Sequence, residues 1–259
     1  MKLLIRIRND NTIYDLDDAD YLDTDPTTIY YFAKHCSAIA AGSERIKRHL
    51  EAFNRNVFHV TSPVVDLGIC KGKRNEKFTI GWIGDFGGEH RRCLEELLFP
   101  VLIDIDFPVT LVLMGIKTFE EKSQVLQQFT FSKTISLEIP MDIDWTNEHS
   151  IQQEISKFDV GIATLNNKPI QLSKSGIKAK QYLNNGVPTI SSDLKENNRF
   201  VMHEKNGFLC TTSIEFLKSI RRLRDMDDSN YELMVTEALN SRVYFNHDYY
   251  YHAILEMVD

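Results

Sequence analysis

From Phe78 to Asp193 short apolar runs alternate with longer amphipathic segments, and this alternation constrains the fold more than any other feature of the chain. "KFTIGWIG", "PVTLVLMG", "TISLEIP", "DVGIATL" and "VPTISSD" read as strands. "EHRRCLEELLFPVL", "TFEEKSQVLQQF", "NEHSIQQEISKF" and "SKSGIKAKQYLNN" read as the helices between them. Strands that are apolar throughout need cover on both faces, so the pattern predicts a doubly wound parallel sheet. Pro100 interrupts the first helix, because proline lacks an amide donor and clashes with the preceding turn. Three further helices, "SIEFLKSIRRLRD", "NYELMVTEALNSRV" and "HDYYYHAILEMVD", close the chain.

A smaller block of the same kind comes first. "TIYDLDDAD" reads as a strand ending in acids, "TTIYYFAKH" as a helix and "CSAIAAGS" as a short buried strand. "SERIKRHLEAFN" follows as a helix with Ser43 as its N-cap, and "NVFHVTSPVVD" as a strand. The charged run "CKGKRNEK", Cys70 to Lys77, reads as a linker. The expected organisation is a partial α/β domain over 1–72, a complete one over 73–245 and a terminal helix over 246–259.

Composition narrows the function. Asp and Glu number 37 against 30 Lys and Arg, a net charge of −7, which excludes the basic field that sequence-independent nucleic-acid binding needs. The four cysteines, Cys36, Cys70, Cys93 and Cys210, form no C-x-x-C pair, and the histidines form no H-E-x-x-H, so neither a disulfide framework nor a metal site is predicted. In "MKLLIRIRNDN" the residues Arg6, Arg8 and Asp10 interrupt any signal-peptide core, and no segment reaches the roughly 20 apolar residues of a membrane span. The expected location is cytoplasmic.

In a doubly wound sheet, ligands sit beyond the carboxyl ends of the strands. The segments placed there are "GDFGGEH", "EIPMDIDW", "NNKPIQLSKSG" and "SSDLKENN". The richest stretch is "SKSGIKAKQYLNNGVPTISSD", Ser173 to Asp193. At 100° per residue Lys174, Lys178, Gln181 and Asn185 share a narrow sector, with Ala179 and Leu183 opposite. Ser173 or Ser175 can cap the helix, Gly176 permits close backbone approach, and the helix start favours an anion. A diphosphate fits there, with Lys174 and Lys178 meeting its charge and Gln181 bonding a ribose. Gly186 and Pro188 stop the helix. An ordinary solvated helix face is the competing reading of the lysines.

This stretch, preceded by "FDVGIATL" and followed by "NGFLC", resembles the donor-site segment of group 1, family 4-like retaining glycosyltransferases of the GT-B fold. "YDLDDA", "AAGSERIKRHLEAF" and "VFHVTSPVVD" are similar to the closing part of that family's first domain, and "FTIGWIGDFGG" to the start of its second. The resemblance implies a GT-B-like α/β fold: a complete C-terminal Rossmann-like doubly wound parallel sheet after a partial, acceptor-side N-terminal domain. It implies transfer of a sugar from a nucleotide-sugar donor to a glycan, lipid or small-molecule acceptor, with retention and without a required metal or other cofactor. By this resemblance Lys174 and Lys178 contact diphosphate, Ser175 and Gly176 lie where backbone amides approach phosphate or sugar, Gln181 binds ribose and Gly84 is the first-strand loop glycine. Ser173 and Gln181 stand where the family often carries two glutamates, and no Arg and Lys pair lies near Trp82 to Gly88. No catalytic residue is assigned. The alternative is a non-catalytic module that binds a nucleotide sugar or a partner, with a protein or second copy covering the incomplete first domain.

Other features have competing readings. "IYDLDDADY" resembles the first motif of haloacid dehalogenase-like phosphatases, with Asp15 as nucleophile and Asp17 as general acid, and the D-x-D metal motif of the other glycosyltransferase fold. The plain reading of Asp15, Asp17 and Asp18 is a polar strand end. Lys218, Arg221, Arg222 and Arg224 read as a solvated helix face, or as a peripheral contact with anionic lipid or an acidic substrate. Tyr249 to Tyr251 read as helix packing, and His203 and Glu204 as contacts to donor or acceptor.

Overall fold

The computed structural model describes residues 12–129 and 131–257, so the segment Met1 to Asn11, with its expected lack of a signal peptide, lies outside the described residues. Strands are β1 Ile13–Leu16, β2 Ala38–Ala41, β3 Val57–His59, β4 Phe78–Ile83, β5 Val109–Met114, β6 Ile135–Glu138, β7 Val160–Ala163, β8 Thr189–Ser192 and β9 Gly207–Cys210. Helices are α1 Thr27–His35, α2 Glu44–Leu50, α3 Gly88–Leu97, α4 Phe99–Leu102, α5 Phe119–Gln128, α6 Glu148–Ile155, α7 Ile177–Asn184, α8 Ser213–Asp225, α9 Asp228–Asn240 and α10 His247–Leu255. The chain forms two compact units. The first holds the residues up to Val65 with Asn167–Ile177 and the segment from Val243; the second holds Asp66–Asn166 and Lys178–Arg242.

The first unit is built on a parallel sheet in the order β1-β2-β3. β2, "AIAA", is wholly buried, and Leu16, Ile39 and Ala41 pack with Ile29, Ile46 and Leu50 of the covering helices. Ser43 caps α2 by accepting the amide of Ile46, as its place before the helix predicts. His49 stacks on Tyr21 with 4.0 Å between ring centres, and its Nε2 lies 3.1 Å from the Tyr30 hydroxyl.

The second unit is a six-stranded parallel sheet in the order β6-β5-β4-β7-β8-β9. Counted from its own first strand this is 3-2-1-4-5-6, the doubly wound order whose topological switch lies between β4 and β7. Phe78, Ile80 and Trp82 of β4 and Val109, Leu111 and Leu113 of β5 point into one core with Phe216 and Ile220 of α8. The opposite face is packed tightly at two glycines. A Cβ at Gly81 would fall 2.0 Å from the Phe158 ring, and one at Gly161 would fall 2.2 Å from Tyr182.

Local signals set the helix ends. Thr118 and Glu121 form a capping box at α5, and Thr212 and Glu215 form one at α8. α3 ends at Leu97 and the chain restarts as α4 with Pro100 in its first turn, where a missing amide donor costs nothing. After α7, Gly186 adopts φ +67° and donates to the Leu183 carbonyl at 3.0 Å, while Val187 donates to that of Tyr182 at 3.0 Å. These two bonds make a Schellman stop, which only glycine enters without strain.

Beneath the amino ends of β4 and β7 lies a buried charge pair. Asp159 accepts from Lys71 Nζ at 2.9 Å, from the amides of Asn75 and Thr79 at 3.0 and 2.8 Å, and from Asn75 Nδ2 at 3.0 Å. The Lys71 backbone donates to the Asn185 carbonyl at 2.7 Å. The run read as a linker is thus tied into the second unit from Lys71 onward.

Candidate functional site

The carboxyl ends of β4 and β7 flank the switch point, and the sequence places Gly84 directly after β4. The Gly84 amide donates to the Met114 carbonyl at 3.0 Å, and a Cβ on Gly84 would meet Lys178 Cε at 2.7 Å and the Trp82 ring at 3.0 Å. The lysine stem therefore passes where only a glycine leaves room. Its ammonium lies 6.0 Å from the centre of the Trp82 ring and 3.2 Å from Nδ1 of His90. Gly84 and Lys178, separated by 94 positions in the chain, are brought into contact.

Trp82 is fully buried and packs edge-on against Phe86. Its Nε1 and the buried hydroxyl of Thr164, immediately after β7, make no hydrogen bond. Tyr182 fixes the strand end from beneath: its hydroxyl accepts from the Ile83 amide at 2.9 Å and donates to the Ile162 carbonyl at 3.1 Å. Burial pushes its ionisation above the ordinary range.

Gln181 is half-buried on α7, and its backbone carbonyl accepts from Asn185 Nδ2 at 2.8 Å. The polar sector drawn from the sequence needs a correction here. Asn185 lies one residue beyond the end of α7 and is fully buried, so it does not continue the open face of Lys178 and Gln181. Lys180, which helical spacing leaves unassigned, is fully buried with its ammonium 5.4 Å from the centre of the Phe200 ring.

The remaining assigned residues belong to the first unit. Lys174 donates to Asp18 at 2.8 Å, and the Ser175 hydroxyl donates to Asp17 at 3.1 Å. Asp17 also accepts from Ser62 at 2.6 Å, and Gly42 leaves it room, since a Cβ there would lie 2.3 Å from Oδ1. Gly176 has φ +75°, a conformation that favours glycine. Ser173, where the resemblance expects a glutamate, is buried and donates to the Pro169 carbonyl at 2.8 Å. Asp15 accepts from the Tyr250 hydroxyl at 2.6 Å. All three acids of the "DLDD" run thus have partners within this unit.

The other sequence candidates are tied up locally. Arg221 pairs with Asp106 at 3.2 Å, Arg222 with Glu204, and Arg224 with Asp225 at 2.5 Å. Arg222 holds the Glu204 carboxyl below its usual range. His203 Nδ1 accepts the Leu209 amide at 3.1 Å. Among the described residues no group of three or more His, Cys, Asp or Glu side chains is placed to hold a metal ion, and no helix is long and apolar enough to cross a membrane.

Sequence reasoning missed His90 and Trp82. Both lie in or beside quoted segments: His90 ends the "GDFGGEH" turn and Trp82 sits inside the preceding strand. Their spacing from Lys178 carries no local signal.

No family model matches the chain, and no curated protein matches it. Solved structures do. HepE of Anabaena, in complex with UDP-glucose, is similar over 99% of this chain and 74% of its own, with TM-score 0.73 and 14% identity. A variant of S. aureus TarM, in complex with fondaparinux, alpha-GlcNAc-glycerol and UDP, is similar over 95% of this chain with TM-score 0.70 and 13% identity. The chain spans about half the length of that structure, 50%. Sucrose-phosphate synthase from Thermosynechococcus elongatus is similar over 97% of this chain and 68% of its own, with TM-score 0.69 and 13% identity. The fold of this chain is α/β and GT-B-like, with parallel sheets and alternating helices in each unit.

Proposed function

We propose that this chain is a glycosyltransferase that moves a sugar from a nucleotide-sugar donor to a glycan, lipid or small-molecule acceptor. The observation that carries the reading is the approach of Lys178 to Gly84 at the switch point of the second unit's sheet. As the bond between the anomeric carbon and the donor phosphate breaks, negative charge grows on the leaving diphosphate. An ammonium already in place stabilises that charge without reorganising. Lys178 takes this role and Gln181 bonds the ribose. The charge is met by a lysine, so the proposal needs no metal and no further cofactor. Retention at the anomeric carbon and a family 4-like relationship belong to the same reading. The UDP and UDP-glucose in the similar structures of HepE support a nucleotide-sugar donor.

A second reading rests on Ser173. A short buried hydroxyl bonded to Pro169 cannot supply the carboxylate that the resemblance expects at a donor-sugar contact. This favours a module that holds a nucleotide sugar without turnover. Calorimetric titration with UDP, GDP and their common sugar conjugates, without added metal, tests the shared part. Binding of one of them, weakened by Lys178→Ala, is expected; binding indifferent to that change contradicts the site. Nucleotide release in the presence of candidate acceptors then separates the enzyme from the module.

A further inference from the structure

We propose that the turn before β9, Met202 to Asn206, is an edge guard: it occupies outward hydrogen-bonding groups of β9 and keeps a second copy of this chain from adding a strand there. β9 stands at one side of the six-stranded sheet, and among the described residues no further strand pairs with it. An open strand edge is a template for another chain. The inference is independent of the donor-site reading, because the turn enters β9 at its amino end, whereas that reading concerns the carboxyl ends of the strands.

The register decides which groups need covering. In a parallel strand, successive residues send their backbone groups to opposite sides. The Asn206 carbonyl accepts from the Thr189 amide at 3.3 Å and the Cys210 carbonyl from the Asp193 amide at 2.8 Å, so these positions face β8. Gly207 and Leu209 therefore face outward. The turn reaches both. The Glu204 amide donates to the Gly207 carbonyl at 2.8 Å, and His203 Nδ1 accepts from the Leu209 amide at 3.1 Å. Backbone covers the first position, and the imidazole extends the cover two residues, about 7 Å, further along the strand. An incoming strand has to displace both bonds.

Holding the turn in this shape has a conformational cost. Glu204 has φ +66°, and it is the one non-glycine residue at positive φ among the described residues. Glycine enters that region freely and glutamate does not. Strain of this kind persists only where the surroundings hold it. Here they do: the Glu204 carboxylate pairs with Arg222 of α8, and the His203 ring packs edge-on against Phe208 with 5.7 Å between ring centres. The Arg222 guanidinium in turn lies 5.2 Å from the centre of the Phe208 ring. One aromatic side chain of β9 thus orients both the imidazole that caps the edge and the arginine that pins the strained residue.

The test separates the cap from the strand it covers. His203→Ala removes the acceptor, whereas the amide oxygen of His203→Asn can still accept from Leu209. Leu209→Pro removes the outward donor at a place where an edge strand tolerates proline. Hydrogen exchange of the Leu209 amide and the weight-average mass by sedimentation over a range of concentrations are measured for the full chain, wild type and variants. The wild-type Leu209 amide is expected to be protected. In His203→Ala its exchange should quicken about tenfold and the mass should rise with concentration above that of the wild type. His203→Asn should restore both, and adding Leu209→Pro to His203→Ala should return the mass to the wild-type value. An unprotected Leu209 amide in the wild type would overturn the guard without any variant. So would a His203→Ala chain whose mass stays at the wild-type value, or a gain in mass that Leu209→Pro leaves in place.

Discussion

Lys174 and Asp18 form an ion pair at 2.8 Å within the first unit, so one of the two lysines assigned to phosphate already has a carboxylate as its partner. The side chains keep 20% and 46% of their exposure, which places the pair among the screened contacts that contribute about 0 to 1 kcal/mol. Asp18→Asn is expected to lower the unfolding free energy by no more than about 1 kcal/mol. The loss should shrink further near 1 M salt, which chemical denaturation at two ionic strengths will check.

Tyr182 links the core of the second unit to the proposed site. Its hydroxyl satisfies the amide of Ile83, the residue before Gly84, and is itself satisfied by Ile162. Tyr182→Phe leaves the Ile83 amide without that acceptor and should destabilise the protein by about 1 to 3 kcal/mol. The urea midpoint should fall with the slope unchanged.

The Lys71 and Asp159 pair is a different case from the surface pair, because both side chains are almost wholly excluded from water, at 2% and 0%. Removing one partner strands a buried charge. Lys71→Met leaves the Asp159 carboxylate with its three amide-type donors, whereas Asp159→Ala leaves the ammonium with none of that charge complement. Asp159→Ala is expected to cost about 3 to 5 kcal/mol in chemical denaturation, and the double variant to recover part of the loss.

His49 makes the first unit sensitive to acid. Burial among Tyr21, Tyr30 and Phe53 holds its imidazole below the ordinary value of 6.5. The folded state therefore binds the proton less well than the unfolded chain. The contribution is fully present above 6.5 and is lost as pH falls through the lower folded value, by at most about 1.4 kcal/mol per pH unit. His49→Gln should flatten that part of a stability profile measured from pH 7 to 5.

What the sequence alone determined was local. The alternation of strands and helices, the Ser43 cap, the break at Pro100 and the stop at Gly186 are each set by a few neighbouring residues, through periodicity, amide bonding and backbone sterics, and each is found in the structure. Gly84 and Lys178 were singled out as candidates, because their segments resemble a known pattern. The tertiary structure alone decided the strand order, and with it which loops converge at the switch point. It also decided that Asn167–Ile177 and the segment from Val243 join the first unit, that Lys180 and Asn185 are buried, and that His90 reaches Lys178. The reason is physical: a 3.6-residue period says which side of a helix is apolar, but contact between side chains 88 positions apart is fixed only when strands pair and helices pack.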